Sequence, residues 1–304
     1  MDKINHPHDK FFKKMFGEIV IAKDFLQNYL PDEILKITDL SNVTHEKESF
    51  IEKDMEEYYS DLLFRTNING KDSYIYFLIE HKSYIDRVVA IQILEYIVKI
   101  WKLKAKKNKV PLVIPMLVYH GEKEWKVDKN LLSLLEGVKT LPKDILRYVP
   151  SYEYLVYDLS SFTDDEIKGE AVVQIIIRLF INIFRNKGDI KSIVTEAGNA
   201  LEELFDKNKG SEYFEVFIRY IMAVKDMDIE DIISEDDQNG RSDLIMALAD
   251  KLRNEGIEQG IKKGIEQTAI ELKKNGSDIK FISKVTKIPV KELEELFKKI
   301  NNNL

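Results

Sequence analysis

Three residues in the first third of the chain, Asp61, Glu80 and Lys82, combine types and spacing suited to chemistry on a phosphate ester. Hydrolysis of a phosphodiester near neutral pH calls for a divalent metal that polarises the phosphoryl oxygen and acidifies a water. Carboxylates must hold that metal, and a cation must meet the charge that develops in the transition state. Asp61 falls in a strand candidate, Tyr58 to Ile68, closed by Asn69-Gly70, a strong hairpin-turn signal. Glu80 and Lys82 close the next strand candidate as Ile79-Glu80-His81-Lys82, and strand alternation puts both on one face with His81 opposite. A hairpin through Asn69-Gly70 therefore lets two acids and a lysine converge, and an oxygen-only donor set suits magnesium.

An acid-x-Lys tripeptide carries little weight alone, since Glu124-Trp125-Lys126, Glu166-Ile167-Lys168 and Glu271-Leu272-Lys273 also fit. Glu80 differs in ending the apolar run Tyr74 to Ile79, where an ionic residue is costly unless paired or metal-bound. The bland alternative is that Glu80 and Lys82 mark the point where the strand meets solvent, and spacing does not separate the two.

The elements that must position these residues follow from periodicity. His8 to Phe16 and Ala22 to Leu30 read as helices, the second ending at Pro31. After the hairpin, Val88 to Trp101 reads as a helix with one polar stripe, Gln92, Glu95 and Lys99. Pro111 to Tyr119 reads as a buried strand, and Tyr154 to Tyr157 as a short one. Strand, hairpin strand, helix, strand implies an α/β fold, a mixed central sheet with a helical crossover onto a parallel neighbour. From Thr163 to Lys225 the pattern is helical, the acidic stretch Asp226 to Asp243 reads as a linker, and Gly256, Gly260 and Gly264 then alternate with isoleucines every four residues. Two short helical patterns, Asp278 to Thr286 and Val290 to Ile300, resemble a helix-turn-helix that binds DNA or caps the fold. The expected divisions are residues 1–160, 161–242 and 243–304.

Composition bounds the chemistry. No cysteine is present, which removes thiolate zinc sites and cysteine nucleophiles. No apolar run reaches the roughly 18 residues of a membrane span, and the first residues lack the apolar core of a signal peptide, so a cytoplasmic protein without a membrane partner is expected. The formal charge of -7 argues against indiscriminate coating of nucleic acid, but placement matters more than the sum. The run Lys99 to Lys109 holds six lysines and no acid. It would contact DNA phosphates or form a solvated face, the commoner fate of such runs. Trp101, Trp125 and His120 are expected to be structural, and Gln92 either reaches the site or rests as a satisfied amide.

Five ordered blocks, HDKFFKKMF, AKDFLQNYLP, SDLLF, YIYFLIEHKS and VIPMLVYHGEKEW, resemble the recombination-promoting nuclease (Rpn) family, also described as YhgA-like putative transposases with a PD-(D/E)xK nuclease domain. The tail, EGIEQGIKKGIEQ followed by NGSDIKFISKVTKIPVKELEEL, resembles the Gly-repeat and terminal helices often seen there. The resemblance implies a restriction-endonuclease-like PD-(D/E)xK core followed by an all-helical C-terminal region. It also implies a metal-dependent DNA endonuclease using Mg2+ or another divalent cation such as Mn2+, with Asp61 and Glu80 as ligands. The carbonyl of His81 would be a third ligand, Lys82 would steady water or phosphate, and Gln92 would be a further polar contact. Ser60 stands where the motif name has proline, Lys82 where many relatives carry glutamine, and the upstream acid is open between Asp9, Glu46 and Glu48. The competing expectation is a non-catalytic DNA-binding or oligomerising protein with a nuclease-like fold, its self-association running through the Gly-repeat helix. A transposase that joins strands is a third.

Overall fold

The computed structural model describes residues 6–46, 61–80, 88–184, 190–205, 207–225, 227, 232 and 242–301. The chain divides into two compact units, one spanning Ile4–Glu235 and the other made chiefly of Asp236–Leu304.

The first unit opens with helices α1 (Pro7–Phe16), α2 (Ile19–Tyr29) and the short α3 (Asp32–Leu35), then strands β1 (Thr38–His45), β2 (Asp61–Ile68) and β3 (Lys71–Glu80). Helix α4 (Val89–Lys104) leads to β4 (Leu112–Tyr119), and a connection containing the short α5 (Lys143–Leu146) leads to β5 (Leu155–Asp158). Helices α6 (Ala171–Ile183), α7 (Ile190–Leu204) and α8 (Lys207–Lys225) complete it. The five strands form one sheet in sequence order. β1, β2 and β3 run antiparallel, whereas β4 and β5 join β3 in parallel.

The β2–β3 hairpin turns where expected. Asn69 (φ 49°) and Gly70 (φ 70°) both take positive φ, the requirement of the two-residue turn whose twist matches the strands it joins. Pairing runs without slippage from Ile68 opposite Lys71 to Asp61 opposite Leu78. β1 is the strand that periodicity missed. Only Val43 is buried on it, its register shifts between Asp39 and Thr44, and Asp39 turns back to accept from the Ser41 amide at 3.0 Å. A polar, bulged edge strand has no clean alternation to read.

The sheet has two covered faces. Leu63, Tyr76, Leu117 and Tyr119 share a core with Val89, Ile93, Tyr96, Ile97 and Ile100 of α4. The opposite phase, including Leu62, Phe64, Ile75, Met116 and Val118, is also buried. α1 and α2 approach β2 and β1, and α1 is welded to the later helices by aromatic rings. Phe11 stacks on Tyr220 of α8 (4.3 Å) and meets Phe180 of α6 edge-on (5.6 Å). Each such buried ring contributes roughly 1.5–3 kcal/mol through area removed from water. α6 buries most of its circumference and leaves one narrow polar stripe, Gln174, Arg178 and Asn182, on its remaining face. Asp24 of α2 caps it by accepting the Glu170 amide at 2.7 Å, and a Cβ on Gly169 would stand 2.6 Å from that carboxylate.

The second unit contains the long α9 (Ser242–Lys274), then α10 (Ile279–Thr286) and α11 (Val290–Asn301). Ala269, Ile282 and Leu293 form its small core. Asp278 caps α10 by accepting the Lys280 amide at 3.0 Å, and Lys287 ends it in the left-handed conformation (φ 62°). The glycine repeat lies within α9, where a Cβ on Gly256, Gly260 or Gly264 would meet nothing within 4 Å. Among the described residues, no helix is long and apolar enough to cross a membrane.

Candidate functional site

Strand register brings two of the expected site positions together. Asp61 pairs with Leu78, two residues before Glu80, so positions 61 and 80 lie in the same phase of the pleat as Leu63 and Tyr76. They are described here by backbone alone. Across the parallel strands Glu80 pairs with Tyr119, and Tyr119 with Asp158, which makes one row at the C-terminal ends of β3, β4 and β5. His81 and Lys82 lie outside the described residues, as does Glu48.

The row is held from its far side. Asp158 accepts the Trp125 amide at 2.6 Å and both the amide and hydroxyl of Ser160, at 3.0 and 2.6 Å. Tyr119 packs its ring on Trp125, 4.9 Å between centroids. A Cβ on Gly121 would fall 2.2 Å from the Tyr119 hydroxyl, so only glycine lets the phenol lie back over the chain there. Tyr119 and Asp158 went unremarked as site neighbours in the sequence, because only cross-strand register shows that they share a row with position 80.

Gln92 sits in the first turns of α4, half-buried, and its amide nitrogen is enclosed with no hydrogen-bond partner among the described residues. An enclosed donor left without an acceptor costs roughly 1–3 kcal/mol, so such groups call for an explanation. The helix also begins without a side-chain cap and without an acid in its first turn. Its N-terminal end is fixed by the β4–β5 connection, because the Tyr152 hydroxyl donates to the Ala90 carbonyl. Burial, then the neighbouring Tyr154, pushes the Tyr152 hydroxyl well above its ordinary value, and burial raises that of Tyr154 to about 12.

The remaining candidates separate by location. His120 is 2% exposed, with its ring 4.4 Å from Phe180 and 5.2 Å from His8, so it is a core residue. His8 in turn shares a 2.8 Å hydrogen bond with Tyr220. Trp125 is buried, and the Trp101 indole packs against the α4 core and donates to the Pro111 carbonyl at 3.0 Å. Glu46 forms an ion pair with Lys104 at the C-terminal end of α4. Asp9 lies on α1, 3.8 Å from His6. The lysine run follows that same end of α4 into a tight turn at Lys107 and Asn108, both at positive φ. It lies beside the start of β4, where Leu112 pairs with Ser73, seven residues from Glu80 or about 23 Å along the strand. Among the described residues, no three His, Asp or Glu side chains are gathered closely enough to hold a metal.

In the second unit, the first turns of α11 present Glu292, Glu294 and Glu295 to solvent beside Lys291. A groove of about 470 Å³ between α9 and the α10–α11 pair has Ile261, Ile265, Ile288 and Leu296 in its lining with four glutamates. A recognition helix reads bases with its N-terminal residues, and carboxylates there oppose phosphate.

Comparison with known proteins identifies relatives along most of the chain. Residues 6–212 match the family model of the putative transposase, YhgA-like. The inactive recombination-promoting nuclease-like protein RpnE of Escherichia coli (strain K12) is 27% identical over 88% of each chain. Recombination-promoting nuclease RpnA of the same strain is 27% identical over 82% of this chain and 84% of its own. RpnC, also from that strain and also named a recombination-promoting nuclease, is 31% identical over 53% of each. No solved structure gives a significant match. With two thirds of the chain matched by the family model and Rpn proteins aligned along most of its length, the chain belongs to the Rpn/YhgA-like putative transposase family.

Proposed function

We propose that the chain is a divalent-metal-dependent DNA endonuclease built on a PD-(D/E)xK-type core. The observation that carries this reading is the register: position 61 opposite 78 and position 80 beside 119 give two carboxylates the same phase on adjacent strands, at the C-terminal ends of the parallel strands. Ligands in open α/β sheets gather at such strand ends. The names of RpnA and RpnC support the nuclease reading, and the enclosed, unpartnered amide of Gln92 on the helix that leaves this strand fits a site that expects an oxygen-rich ligand.

In this proposal Asp61 and Glu80, with the carbonyl of His81, hold Mg2+ or Mn2+, since hard cations take oxygen donors. The bound cation supplies Lewis acidity toward the phosphoryl oxygen and lowers the pKa of a coordinated water. Lys82 carries positive charge to the scissile phosphate, and Gln92 donates its amide hydrogens to a phosphate oxygen or to water. The start of α4 adds the favourable end of a helix dipole for an anion. Asp61→Ala and Glu80→Ala, folded as judged by circular dichroism, should each abolish divalent-dependent cleavage of DNA. Full cleavage by both variants would remove the proposal.

A second reading, a non-catalytic DNA-binding protein, is favoured by the similarity to RpnE, which is named inactive. It would give salt-sensitive DNA binding with no cleavage in any divalent cation. Under either reading we propose self-association through α9, because Ile257 and Ile261 are 53% and 60% exposed beside glycines with open space around them.

A further inference from the structure

The connection from β4 to β5 contains a stretch whose exposure the fold does not require. Leu135, Leu141 and Ile145 are each more than a third exposed, and Tyr148 is 73% exposed. Isolated apolar residues at a surface are ordinary, but here four fall within fourteen residues of one connection. Exposed Lys139, Lys143 and Arg147 are interleaved with them at four-residue intervals, against the acids Glu136 and Asp144. The Arg147 guanidinium lies 4.9 Å from the centre of the Tyr148 ring.

This stretch is held in place near the candidate site. The Tyr148 amide donates to the Ile145 carbonyl at 3.0 Å, and that of Val149 to Leu146 at 3.1 Å. Four residues further on, Tyr152 is bound to the Ala90 carbonyl, two residues before Gln92. Tyr148 is thus within about 14 Å, the reach of four residues, of the backbone of Tyr152, whose hydroxyl is the anchor on the first turn of α4.

We propose that the segment Leu135 to Tyr148 is a contact surface for an unpaired nucleic-acid strand, with the Tyr148 ring as a base-stacking platform. The proposal rests on the nuclease reading of the adjacent site and names the substrate form that site receives. A solvent-facing aromatic ring beside a guanidinium and lysines pairs stacking with phosphate attraction, the combination by which proteins hold single strands. In a duplex the base faces are sealed by their neighbours in the stack, so the ring recognises an unpaired or frayed base. Lys139, Lys143 and Arg147 follow the backbone and add to the salt dependence of binding.

Fluorescence anisotropy on the full chain in EDTA, where no strand is cut, tests this with a labelled oligothymidine and a duplex of equal length. Tyr148→Ala should weaken single-strand binding about tenfold, Tyr148→Phe should restore it, and duplex affinity should hold. Arg147→Ala should weaken single-strand binding and flatten its salt dependence. Wild type binding DNA with Tyr148→Ala unchanged, or losing both substrates equally, would overturn the stacking surface and leave the nuclease reading standing. If wild type bound neither DNA, the stacking surface would fall, while the nuclease reading would still be decided by cleavage in the presence of a divalent cation. A surface for a protein partner would register as the unchanged outcome.

Discussion

The two ends of α4 are finished in opposite ways. At the C-terminal end Lys104 pairs with Glu46 and lies 5.8 Å from the centre of the Tyr74 ring, while Trp101 closes on Pro111. Nearby, Arg65 grips Asp72 through two nitrogens, at 2.7 and 3.1 Å. At the N-terminal end the N-cap residue, Val88, gives no side-chain cap, and the Gln92 amide nitrogen is enclosed with no partner among the described residues. The end that looks richer in binding groups has used some of them on the protein itself. The other end, which follows the strand that carries Glu80, keeps an enclosed amide nitrogen unbonded among the described residues.

The largest effect expected at the N-terminal end is catalytic. Single Asp61→Ala or Glu80→Ala variants should lower divalent-dependent cleavage by on the order of 10³-fold, checked with plasmid and oligonucleotide substrates. Next, Gln92→Leu should reduce cleavage by about 10²-fold while stabilising the fold by about 1 kcal/mol, because it removes an unsatisfied donor. A thermal melt beside the activity assay reads both signs at once. A variant that lost stability instead would show that the amide is structurally satisfied.

The C-terminal end should behave in the reverse sense. Lys104→Ala or Glu46→Ala should cost about 1 kcal/mol in denaturant unfolding, since the pair is only partly exposed, and leave cleavage unchanged. The smallest effect is a pH dependence. The Arg65 guanidinium beside Asp72 holds its carboxyl below the ordinary value, outweighing burial, with Lys106 and Lys104 assisting. A depressed carboxyl contributes stability that is complete above its unfolded value and lost as pH falls through the folded one. Unfolding followed into that acid window should show a shallower loss for Asp72→Asn than for wild type. An identical slope would mean that the Arg65 pair contributes nothing measurable.

How far the sequence could be read differs by element for physical reasons. The hairpin, β3, α4 and β4 were legible because their signals are local: a turn pair requiring positive φ, an apolar run bounded by charges, and a helical stripe. The phase shared by positions 61 and 80 followed from the same alternation, and the register reproduces it. β1 was hidden by its bulge and by polar residues that bond to each other. The partners Lys104 and Glu46 are 58 residues apart, and Tyr152 and Ala90 are 62 apart. No window of sequence reveals such pairs, so neither the neutralisation at one end of α4 nor the anchor at the other could be anticipated. The row of Tyr119 and Asp158 beside position 80 was hidden for the same reason. The roles assigned to His81 and Lys82 rest on family resemblance, since both lie outside the described residues.

The central claim is that positions 61 and 80 together hold a divalent cation. Titration of Mn2+ into the full chain, followed by the electron paramagnetic resonance signal of the free ion, tests it without reliance on turnover. The expected result is saturable binding by wild type that is lost in both Asp61→Ala and Glu80→Ala, with melting curves showing that both remain folded. Equal binding by wild type and both folded variants would contradict it.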